Sequence, residues 1–460
     1  MNASVDTIDT AARRVDVSRS LDGRQYSLHY DHLVVAVGSV DDLSRYPGIA
    51  QHALKLKAYD GCLMARHQII RMLELAEFET DPDERRRLLT FVIAGGNFGG
   101  VEVAGELAEY FPLLCRREFP LLQPDEIRIV IAHSGARLIP ELQERHPRLV
   151  DYVEKQLARR PCIEVRRNAR VAAATSSEIV LDSGERIPSR TLISCTGSAP
   201  NPLLAQLPAA RDERGRIITD THLRVTEIPN VWSAGDCAAM PHPRGGVYPA
   251  LFYYAYTGGL HIGRNILRSV AGAPPKRYTR AGLGEACAIG QRRAAGHLRG
   301  IELTGFPAWL LWRLLVLYYV PTWDRRVRTL LDWIVWPFVG RDMVSVDSEG
   351  RLMIRSVLYE TGQAVVTQGD VGNTMYVIQS GEAEILVDGD EGPTCVGVLG
   401  PGDHFGEAAV FNNVRRTATV RARSRLQALE LHRGDALSLK EAFATLGDVI
   451  GKAPVPKNPA

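Results

Sequence analysis

The chain has 460 residues, of which 45% are hydrophobic and 23% charged, and a formal net charge of +2. This composition is typical of a globular protein with several domains, and the near-neutral charge argues against nucleic acid as a partner. The seven cysteines include no C-x-x-C pair, which indicates reduced intracellular thiols and no zinc site, and no apolar stretch reaches the ~18 residues of a membrane span.

The first part of the chain predicts short strands followed by a helix. Residues 1–30 alternate polar and apolar, which favours a small antiparallel sheet with a turn at Asp22. Residues 30–39 predict a buried strand that ends in Gly-Ser, and residues 59–78 predict a helix with one apolar face. Asp81 is placed to cap the helix that follows.

A glycine-rich turn is the strongest motif of the first half. Residues 88–94 predict a buried parallel strand, and residues 101–110 predict a helix. Between the strand and the helix lie Gly95, Gly96, Asn97 and Gly100. Such a strand–turn–helix unit is typical of dinucleotide binding, with a pyrophosphate at the helix N-terminus, although glycines that serve only packing are an alternative. Asn97 replaces the middle glycine, which normally lets the backbone approach the phosphate. Because asparagine tolerates left-handed dihedrals better than most residues, we expect a site that is weakened rather than excluded.

The next strand, predicted at 126–132, ends without the carboxylate that usually binds the ribose of the dinucleotide. His133 and Ser134 stand at its end, with Arg137 nearby. Either this loop has no ligand role, or the site accepts both NADH and NADPH, because no carboxylate repels a 2′-phosphate. The elements predicted after it are a helix at 141–159 and short strands at 162–195.

A second motif is Ala234-Gly235-Asp236, which follows another predicted strand. We expect this strand to deliver Gly235 and Asp236 to the start of a helix. In flavoproteins with two dinucleotide sites, the aspartate of this motif accepts a hydrogen bond from the ribityl chain of the flavin. The alternative is that Asp236 is only a helix N-cap.

Residues 1–345 resemble the type II NADH:quinone oxidoreductases, which are flavoproteins with two dinucleotide-binding domains. The resemblance rests on Tyr30-Asp31, Val37-Gly38-Ser39, the turn at 95–102, Gly105-Glu106, Ala234-Gly235-Asp236, the stretch 248–258 and the tryptophan-rich stretch after Gly305. It implies an α/β, Rossmann-like fold. The implied domains are FAD-binding at 1–88 and 199–280, NAD(P)H-binding at 89–198, and membrane-interface at 281–345.

The resemblance also implies cofactors and roles. FAD and NAD(P)H are the expected cofactors, and a quinone is the expected acceptor. The implied cofactor-binding residues are Gly95, Gly96, Asn97, Gly100, Gly197, Gly235 and Asp236. Glu102 matches the glutamate that this family places near the flavin and the quinone, so it is the catalytic candidate. Phe252 and Tyr256 replace the family's glutamines on the quinone side; their rings either stack on a quinone or belong to the core.

One part of the family pattern is missing. The superfamily opens with a strand–glycine–helix unit for the ADP half of FAD, and a βαβ unit takes roughly 30 residues or more. No glycine turn of this pattern precedes Gly95. We therefore expect a fold that is incomplete at the N-terminus and weak FAD binding by the chain alone. The start lies upstream, another chain supplies the unit, or the flavin function is lost.

Residues 301–345 combine tryptophan, leucine and arginine, as membrane-surface helices do. Trp309, Trp312 and Leu315 are expected to enter the membrane; packing on the flavin domain or on another subunit is the alternative. The resemblance implies a cytoplasmic protein attached peripherally to the inner face of the cell membrane. A homodimer is left open.

Residues 351–432 show short β-like runs separated by glycine turns, which predict a small barrel or β-roll. Within them the stretch 402–420 resembles cyclic nucleotide-binding domains, which implies such a domain at 350–446. A barrel that binds nothing is the alternative. The proline-containing tail at 447–460 is predicted to be disordered.

The match to cyclic nucleotide-binding domains implies a role for five residues. Glu407 would accept the ribose 2′-hydroxyl, and Arg416 would pair with the cyclic phosphate. The backbone of Gly406 to Ala408 would hold phosphate oxygens, and Thr417 would add a hydroxyl. The effector would be cAMP or cGMP.

Together these patterns predict an FAD-dependent NAD(P)H:quinone oxidoreductase that is regulated by a cyclic nucleotide. One alternative is a non-catalytic regulatory protein, in which the cyclic nucleotide-binding domain sits on a degenerate flavoprotein scaffold. Another is an NADH-dependent ferredoxin or nitrite-type reductase, against which the tryptophan- and arginine-rich segment argues.

Overall fold

The structure is a computed structural model that describes residues 3–19, 23–41, 43, 48–339, 355–369, 374–389, 392–412, 414–432 and 436. The predicted turn at Asp22 and the predicted tail at 447–460 lie outside these residues, as do parts of the segment 350–446.

The elements of the described residues follow in chain order. Up to the glycine-rich turn they are β1 (Ala3–Asp9), β2 (Arg14–Arg19), β3 (Gln25–His29), β4 (Leu33–Val35), β5 (Ser39–Asp41), α1 (Ile49–His52), β6 (Ala53–Lys55), α2 (Tyr59–Phe78), α3 (Pro82–Leu88) and β7 (Thr90–Ala94). Then come α4 (Phe98–Arg117), β8 (Arg128–His133), α5 (Pro140–Gln143), α6 (Pro147–Ala158), β9 (Ile163–Arg167), β10 (Val171–Ala174), β11 (Glu178–Leu181), β12 (Arg186–Pro188), β13 (Thr191–Ser194) and β14 (Ser198–Pro200).

The second half continues with β15 (Ile217–Ile218), β16 (Val231–Ser233), β17 (Ala238–Ala239), α7 (Phe252–Val270), β18 (Gly284–Ala288), β19 (Ala294–Leu298), β20 (Ile301–Gly305), α8 (Phe306–Tyr319) and α9 (Trp323–Val339). The last elements are β21 (Arg355–Tyr359), β22 (Ala364–Val366), β23 (Thr374–Ser380), β24 (Ala383–Gly389), β25 (Gly392–Leu399), β26 (His404–Phe405), α10 (Glu407–Asn412), β27 (Thr419–Ala422) and β28 (Leu426–His432). Short 3-10 helices lie at Pro124–Glu126 and Pro202–Gln206.

The chain divides into two compact units. The first comprises Met1–Asp42, Thr196–Ala286 and Gly296–Leu303, and the second comprises Leu43–Cys195, Cys287–Ala295 and Thr304–Ala460.

The first unit is built from small sheets and one long helix. Its antiparallel sheet β1-β2-β3 confirms the prediction for residues 1–30. The single strand predicted at 30–39 is instead two short strands, because Gly38 takes a left-handed φ of 62° between β4 and β5. β4 pairs in parallel with β16, and β15 pairs in parallel with β17.

The second unit contains a parallel sheet of five strands in the order β6-β13-β7-β8-β9. Every residue of β7 is buried, as the apolar run predicts for a strand covered on both faces. Parallel strands end at the same edge of a sheet. The last residues of β7, β8 and β13 therefore lie close together at this edge; they are Ala94, His133 and Ser194. The predicted dinucleotide site lies at this edge.

The predicted helices of the second unit are found, some with different bounds. α2 has the predicted bounds, and Asp81 caps α3 by accepting a hydrogen bond from the Asp83 N–H at 3.0 Å. α4 is longer than predicted because Phe111 and Leu114 continue its buried face past Pro112. The single helix predicted at 141–159 is wrong: it is divided into α5 and α6, since a proline starts a new helix more readily than it continues one.

The C-terminal part of the second unit is a β-roll of two four-stranded antiparallel sheets, which confirms the predicted architecture. The strand orders are β21-β28-β23-β26 and β22-β27-β24-β25. Between the sheets lies a buried core that includes Tyr359, Tyr376 and Phe405.

α8 and α9 each carry an exposed apolar stripe. On α8 the stripe recurs every four residues, at Phe306, Leu310, Leu314 and Tyr318, which are 42–66% exposed. On α9 it consists of Trp323, Val327, Leu330, Leu331 and Ile334, which are 40–75% exposed. Arg313 stacks between the rings of Trp309 and Trp333, with its guanidinium carbon 4.9 and 4.6 Å from their centroids. None of the described helices is long and apolar enough to cross a membrane.

Candidate functional site

The glycine-rich turn connects β7 to α4 at the carboxyl edge of the parallel sheet. Gly95 has a φ of 106°, which only glycine adopts readily. A Cβ on Gly100 would lie 1.8 Å from the carbonyl oxygen of Gly95, so any side chain there would push the helix away from the turn. The first turn of the 20-residue helix α4 therefore presents its backbone N–H groups and its positive dipole end at the sheet edge.

Asn97 caps the helix that follows the turn. Its backbone is extended, with φ −77° and ψ −173°, so the turn does not use the left-handed conformation that asparagine tolerates. The side chain is the N-cap of α4: its Oδ1 accepts a hydrogen bond from the Gly100 N–H at 3.1 Å. Its Nδ2 donates to the carbonyl of Cys195, just after β13, at 2.7 Å. Asn97 thus fixes the helix start against the neighbouring strand, which preserves the site.

His133 occupies the place of the missing carboxylate, but its ring points into the protein. It is 8% exposed; its Nδ1 accepts a hydrogen bond from the Gly96 N–H at 3.2 Å, and its Nε2 lies 2.8 Å from the carbonyl of Arg137. Only glycine allows this close approach, because a Cβ on residue 96 would lie 2.4 Å from the side chain of Leu138. His133 therefore supports the turn, and Ser134 is the exposed residue at the end of β8.

Glu102 lies on the first turns of α4, immediately behind the glycine-rich turn. Its Oε1 accepts a hydrogen bond from the Ala288 N–H at 3.0 Å. Burial raises the pKa of Glu102 to about 7; the Ala288 hydrogen bond lowers it, and the negative charge of Glu106 raises it further. A carboxyl group with this pKa can take up and release a proton at neutral pH.

The Gly235-Asp236 motif follows β16 but does not start a helix. The next element is the two-residue strand β17, and α7 begins only at Phe252. The predicted helix start is therefore wrong, and so is the alternative that Asp236 is a helix N-cap. Gly235 has a φ of 82°, and Asp236 accepts a hydrogen bond from the Ser39 hydroxyl at 3.3 Å.

The aromatic residues of α7 divide into core and surface. Tyr254 is 8% exposed and packs on Tyr248 with ring centroids 4.7 Å apart, so it belongs to the core. Phe252 and Tyr256 are 63% and 38% exposed and stack on each other at 5.8 Å. These two, the predicted quinone-side residues, have accessible faces. Gly197, another predicted cofactor residue of the first unit, has a φ of 83°.

In the β-roll, the structure brings Arg416 against Gly406. Arg416 is 6% exposed; its Nη1 donates to the Gly406 carbonyl and its Nη2 to the Thr374 hydroxyl, both at 3.0 Å. Glu407 is the first residue of α10, and its Oε2 is buried without a hydrogen-bond partner among the described residues. Ala408 follows it on α10, whereas Thr417 is exposed.

Hydrogen bonds connect Arg416 to the interior of the roll. The Thr374 hydroxyl donates to the Tyr376 hydroxyl at 3.3 Å, and Tyr376 donates to Glu430 at 3.2 Å. Burial raises the pKa of Tyr376 and holds that of Tyr359 well above its ordinary value. Arg190, directly before β13, pairs with Glu84, and the negative charge of an ionised Tyr359 or Tyr376 would raise the pKa of its guanidinium.

The β-roll also contacts the parallel-sheet part of the same unit directly. His52 of α1 is 4% exposed, and its Nε2 lies 3.1 Å from the carbonyl of Leu358 on β21. Gln363 donates a hydrogen bond to the Ser177 hydroxyl at 3.0 Å. α1 leads directly into β6, which pairs with β13, so the roll is attached to the strands that support the glycine-rich turn.

The residues that reach the candidate sites only through tertiary contacts were not identified from the sequence. Ala288, which donates to Glu102, is 186 positions away, and no sequence pattern connects the two. Thr374 is the first residue of β23, and its sequence context is that of any strand threonine. His52 alone carried a signal, since a histidine in an apolar surrounding is often buried against a specific partner.

Comparison with known proteins gives the family. Residues 1–259 match the family described as Pyridine nucleotide-disulphide oxidoreductase, and residues 356–442 match the Cyclic nucleotide-binding domain. A type II NADH:quinone oxidoreductase of Mycobacterium tuberculosis, NdhA, is 30% identical over 350 residues, which are 73% of this chain and 72% of that protein. The chain belongs to the type II NADH:quinone oxidoreductases, within the pyridine nucleotide-disulphide oxidoreductase family.

Two further proteins are similar to this chain, one in sequence and one in fold. A probable NADH dehydrogenase of Dictyostelium discoideum is 28% identical over 351 residues, 75% of this chain and 76% of that protein. The solved structure of NDH2 from Plasmodium falciparum in complex with NADH has a TM-score of 0.68, covers 75% of this chain and 85% of its own, and is 16% identical, which shows the fold. The predicted flavoprotein fold with a C-terminal cyclic nucleotide-binding domain is confirmed.

The residues present fit the family's two cofactors in part. At the glycine-rich turn, the start of α4 fixed by the Asn97 cap, and the close approach of Gly100 to Gly95, suit a dinucleotide pyrophosphate at the helix N-terminus. In the first unit, Gly235 and Asp236 suit the ribityl end of a flavin, because the carboxylate is not consumed by a helix start. Among the described residues of that unit, no second strand–glycine turn–helix is seen.

Proposed function

We propose that the chain is an FAD-dependent NAD(P)H:quinone oxidoreductase whose activity is regulated by a cyclic nucleotide. The observation that carries the catalytic part is Glu102, a largely buried carboxyl directly behind the glycine-rich turn, with a pKa near neutrality. The reaction converts NAD(P)H, one proton and quinone into NAD(P)+ and quinol, so each turnover consumes one proton. A group that exchanges a proton at neutral pH serves such a reaction.

Each set of residues has one task in this proposal. Gly95, Gly100 and the first turn of α4 hold the pyrophosphate of NAD(P)H, and Asn97 keeps that turn in place. Gly197, Gly235 and Asp236 hold the flavin. When bound, the flavin supplies acceptance of a hydride and delivery of two electrons to the quinone. Phe252 and Tyr256 offer exposed ring faces to the quinone.

Replacement of Glu102 by glutamine is the test of the catalytic part. We expect kcat of NADH oxidation with a soluble quinone to fall about a hundredfold or more, as for loss of a general acid–base group. The wild-type pH profile should show a limb near pH 7 that this variant lacks. Glu118→Gln, an exposed position at the end of α4, is the control. Unchanged kcat and pH profile in Glu102→Gln would contradict the proposed role.

We further propose that the protein binds the cytoplasmic face of the membrane through α8 and α9. The two exposed apolar stripes provide the inserting surface, and Arg325 and Arg328, exposed on α9, provide charge for anionic headgroups. The structure revises the residues involved: Trp309, Trp312 and Leu315 are only partly exposed, whereas Leu310, Leu314 and Ile334 lie on the stripes.

The double variant Leu314→Glu/Ile334→Glu should lose binding to vesicles that contain anionic lipid, because a charge on each stripe opposes insertion. The wild type should sediment with such vesicles and be partly released at high salt. Thr304→Glu, which adds the same charge at an exposed polar position before α8, should bind like the wild type. Equal sedimentation of the double variant would exclude these stripes as the membrane contact.

Regulation is proposed to act on the NAD(P)H site. His52 directly precedes β6 and Arg190 directly precedes β13, and both strands belong to the sheet that carries the glycine-rich turn. Ser177 lies between β10 and β11, in a second sheet of the same unit. If cyclic nucleotide binding shifts the roll, NADH affinity changes, and NADH must change nucleotide affinity by the same factor.

His52→Ala should remove this coupling. In the wild type we expect a saturating cyclic nucleotide to change NADH affinity by about fivefold or more, measured by nicotinamide fluorescence. In His52→Ala the change should be close to one, while both ligands still bind. His67→Ala, a histidine of α2 at a partly exposed position, is the control. Coupling of equal size in His52→Ala would rule out this contact as the route.

A further inference from the structure

The segment 287–295 runs along α4 from Glu102 to Glu109 and packs against the Glu102 carboxyl. Cys287 is fully buried, and Ala288 donates its N–H to Glu102. Ile289 is also fully buried and packs so closely on the helix that a Cβ on Gly105 would lie 2.9 Å from its carbonyl carbon. The environment of Glu102 therefore depends on how firmly this segment is held against α4.

Glu109 holds the segment, seven residues further along α4. Its Oε2 accepts the Gln291 N–H at 2.5 Å, and its Oε1 accepts from Arg160 Nη2 at 2.6 Å. The same Arg160 nitrogen donates to the Ile289 carbonyl at 2.6 Å. Arg293, on the segment itself, places its Nη1 3.5 Å from Glu109 Oε1. One carboxylate and one guanidinium thus grip the backbone of the segment at two positions.

The burial of this pair makes the grip stronger than that of a surface ion pair. The side chains of Glu109 and Arg160 are 21% and 11% exposed. Charge-assisted hydrogen bonds that are partly removed from water contribute more than exposed pairs do. The segment is also shaped to fit: Gly290 has a φ of 89°, and a Cβ there would lie 2.5 Å from the Glu109 carboxyl.

We propose that Glu109, with Arg160, is the positioning residue for Glu102, because it clamps the segment 287–295 over that carboxyl. The catalytic importance of Glu102 rests on the proposed function. The clamp on the segment 287–295 does not depend on it. The groups that act on Glu102 are the Glu106 carboxylate on its own helix and the Ala288 N–H on the segment. The Glu102 carboxyl in turn raises the pKa of the buried Cys287 thiol on the segment. Glu141 of α5 faces the same thiol.

Release of the segment should lower the pKa of Glu102. Two effects oppose each other: water entry lowers the pKa, and loss of the Ala288 hydrogen bond raises it. Burial is the larger cause of the present value, so water entry decides the sign. Glu109→Ala, which removes both acceptors, should act more strongly than Glu109→Gln, which keeps an oxygen for the Gln291 N–H.

The experiment is infrared titration of the carboxylic C=O band on the purified full chain. At pH 6, exposed carboxyl groups with a pKa of about 4 are ionised, whereas Glu102 remains protonated. The band that disappears in Glu102→Gln is therefore its signal. We expect its midpoint to fall by about one pH unit or more in Glu109→Ala, by less in Glu109→Gln, and not in Glu164→Gln. The last variant breaks a more exposed pair, Arg128 with Glu164 between β8 and β9, which does not contact the segment 287–295.

Gly290→Ala keeps the inference testable should Glu109→Ala fail to fold. It displaces the segment by steric contact with Glu109 and leaves both charges in place. It should also lower the midpoint of the Glu102 band. A midpoint equal to that of the wild type in folded Glu109→Ala or in Gly290→Ala would overturn the clamp. Because the readout is a titration, it requires no electron transfer, and failure of the quinone reductase activity would leave the outcome unaffected.

Discussion

Glu102→Gln should make the protein more stable than the wild type at pH 8, and by only about a quarter as much at pH 5. The folded-state pKa of about 7 lies above the ordinary value of 4.5, so the folded protein keeps a proton that the unfolded chain has released. The free energy of unfolding of the wild type therefore falls as the pH rises from about 4.5 to about 7. The full loss is about 3 kcal/mol. Glutamine carries no charge and avoids this loss.

Urea unfolding of wild type and Glu102→Gln at pH 5 and pH 8 provides the measurement, followed through the transition of the unit that contains α4. Glu118→Gln removes one carboxyl from the exposed end of the same helix and should differ from the wild type equally at both pH values. If Glu102→Gln showed the same stability difference at pH 5 and pH 8, Glu102 would be ionised in the folded protein at pH 5. The proposed proton exchange at neutral pH would then fail as well.

The elements that local sequence determines were predicted well. α2 has the predicted bounds because its apolar residues recur with helical spacing, and β7 is the buried strand that a continuous apolar run indicates. The need for glycine at 95 and 100 can be read from the sequence, because it depends on the absence of side chains in a strand–turn–helix pattern. The β-roll was predicted because its glycine turns divide the chain into short strands.

The parts that could not be predicted depend on distant contacts. The role of Asn97 depends on the carbonyl of Cys195, which only strand pairing brings next to it. The pKa of Glu102 depends on the segment 287–295, and the separation of Tyr254 from Phe252 depends on the core around Tyr248. Gly235-Asp236 looked like a helix start because the local motif is the same whether a helix or a short strand follows. Local sequence patterns therefore predict helices and strands, whereas the pKa of Glu102 and the role of Asn97 depend on tertiary contacts.

Arg416→Ala should weaken binding of cAMP or cGMP by about a hundredfold or more, because a cyclic phosphate would lose its charged partner. The structure favours a large effect, since Arg416 is already buried and oriented by Gly406 and Thr374. A preorganised guanidinium loses little conformational freedom on binding. Glu407→Ala should cost less, because the 2′-hydroxyl that it would accept is neutral, although its buried Oε2 lacks a partner in the described residues.

Isothermal titration calorimetry on the full chain with each cyclic nucleotide measures these affinities, and Arg415→Ala is the matched control. Arg415 precedes Arg416 and carries the same charge, but it is exposed and donates to the Gly369 carbonyl at 2.9 Å. Its loss should change affinity little. An equal loss in both arginine variants would indicate general electrostatic attraction instead of a phosphate site. No heat with either nucleotide in the wild type would leave the roll as a docking module for the parallel-sheet part through His52 and Gln363.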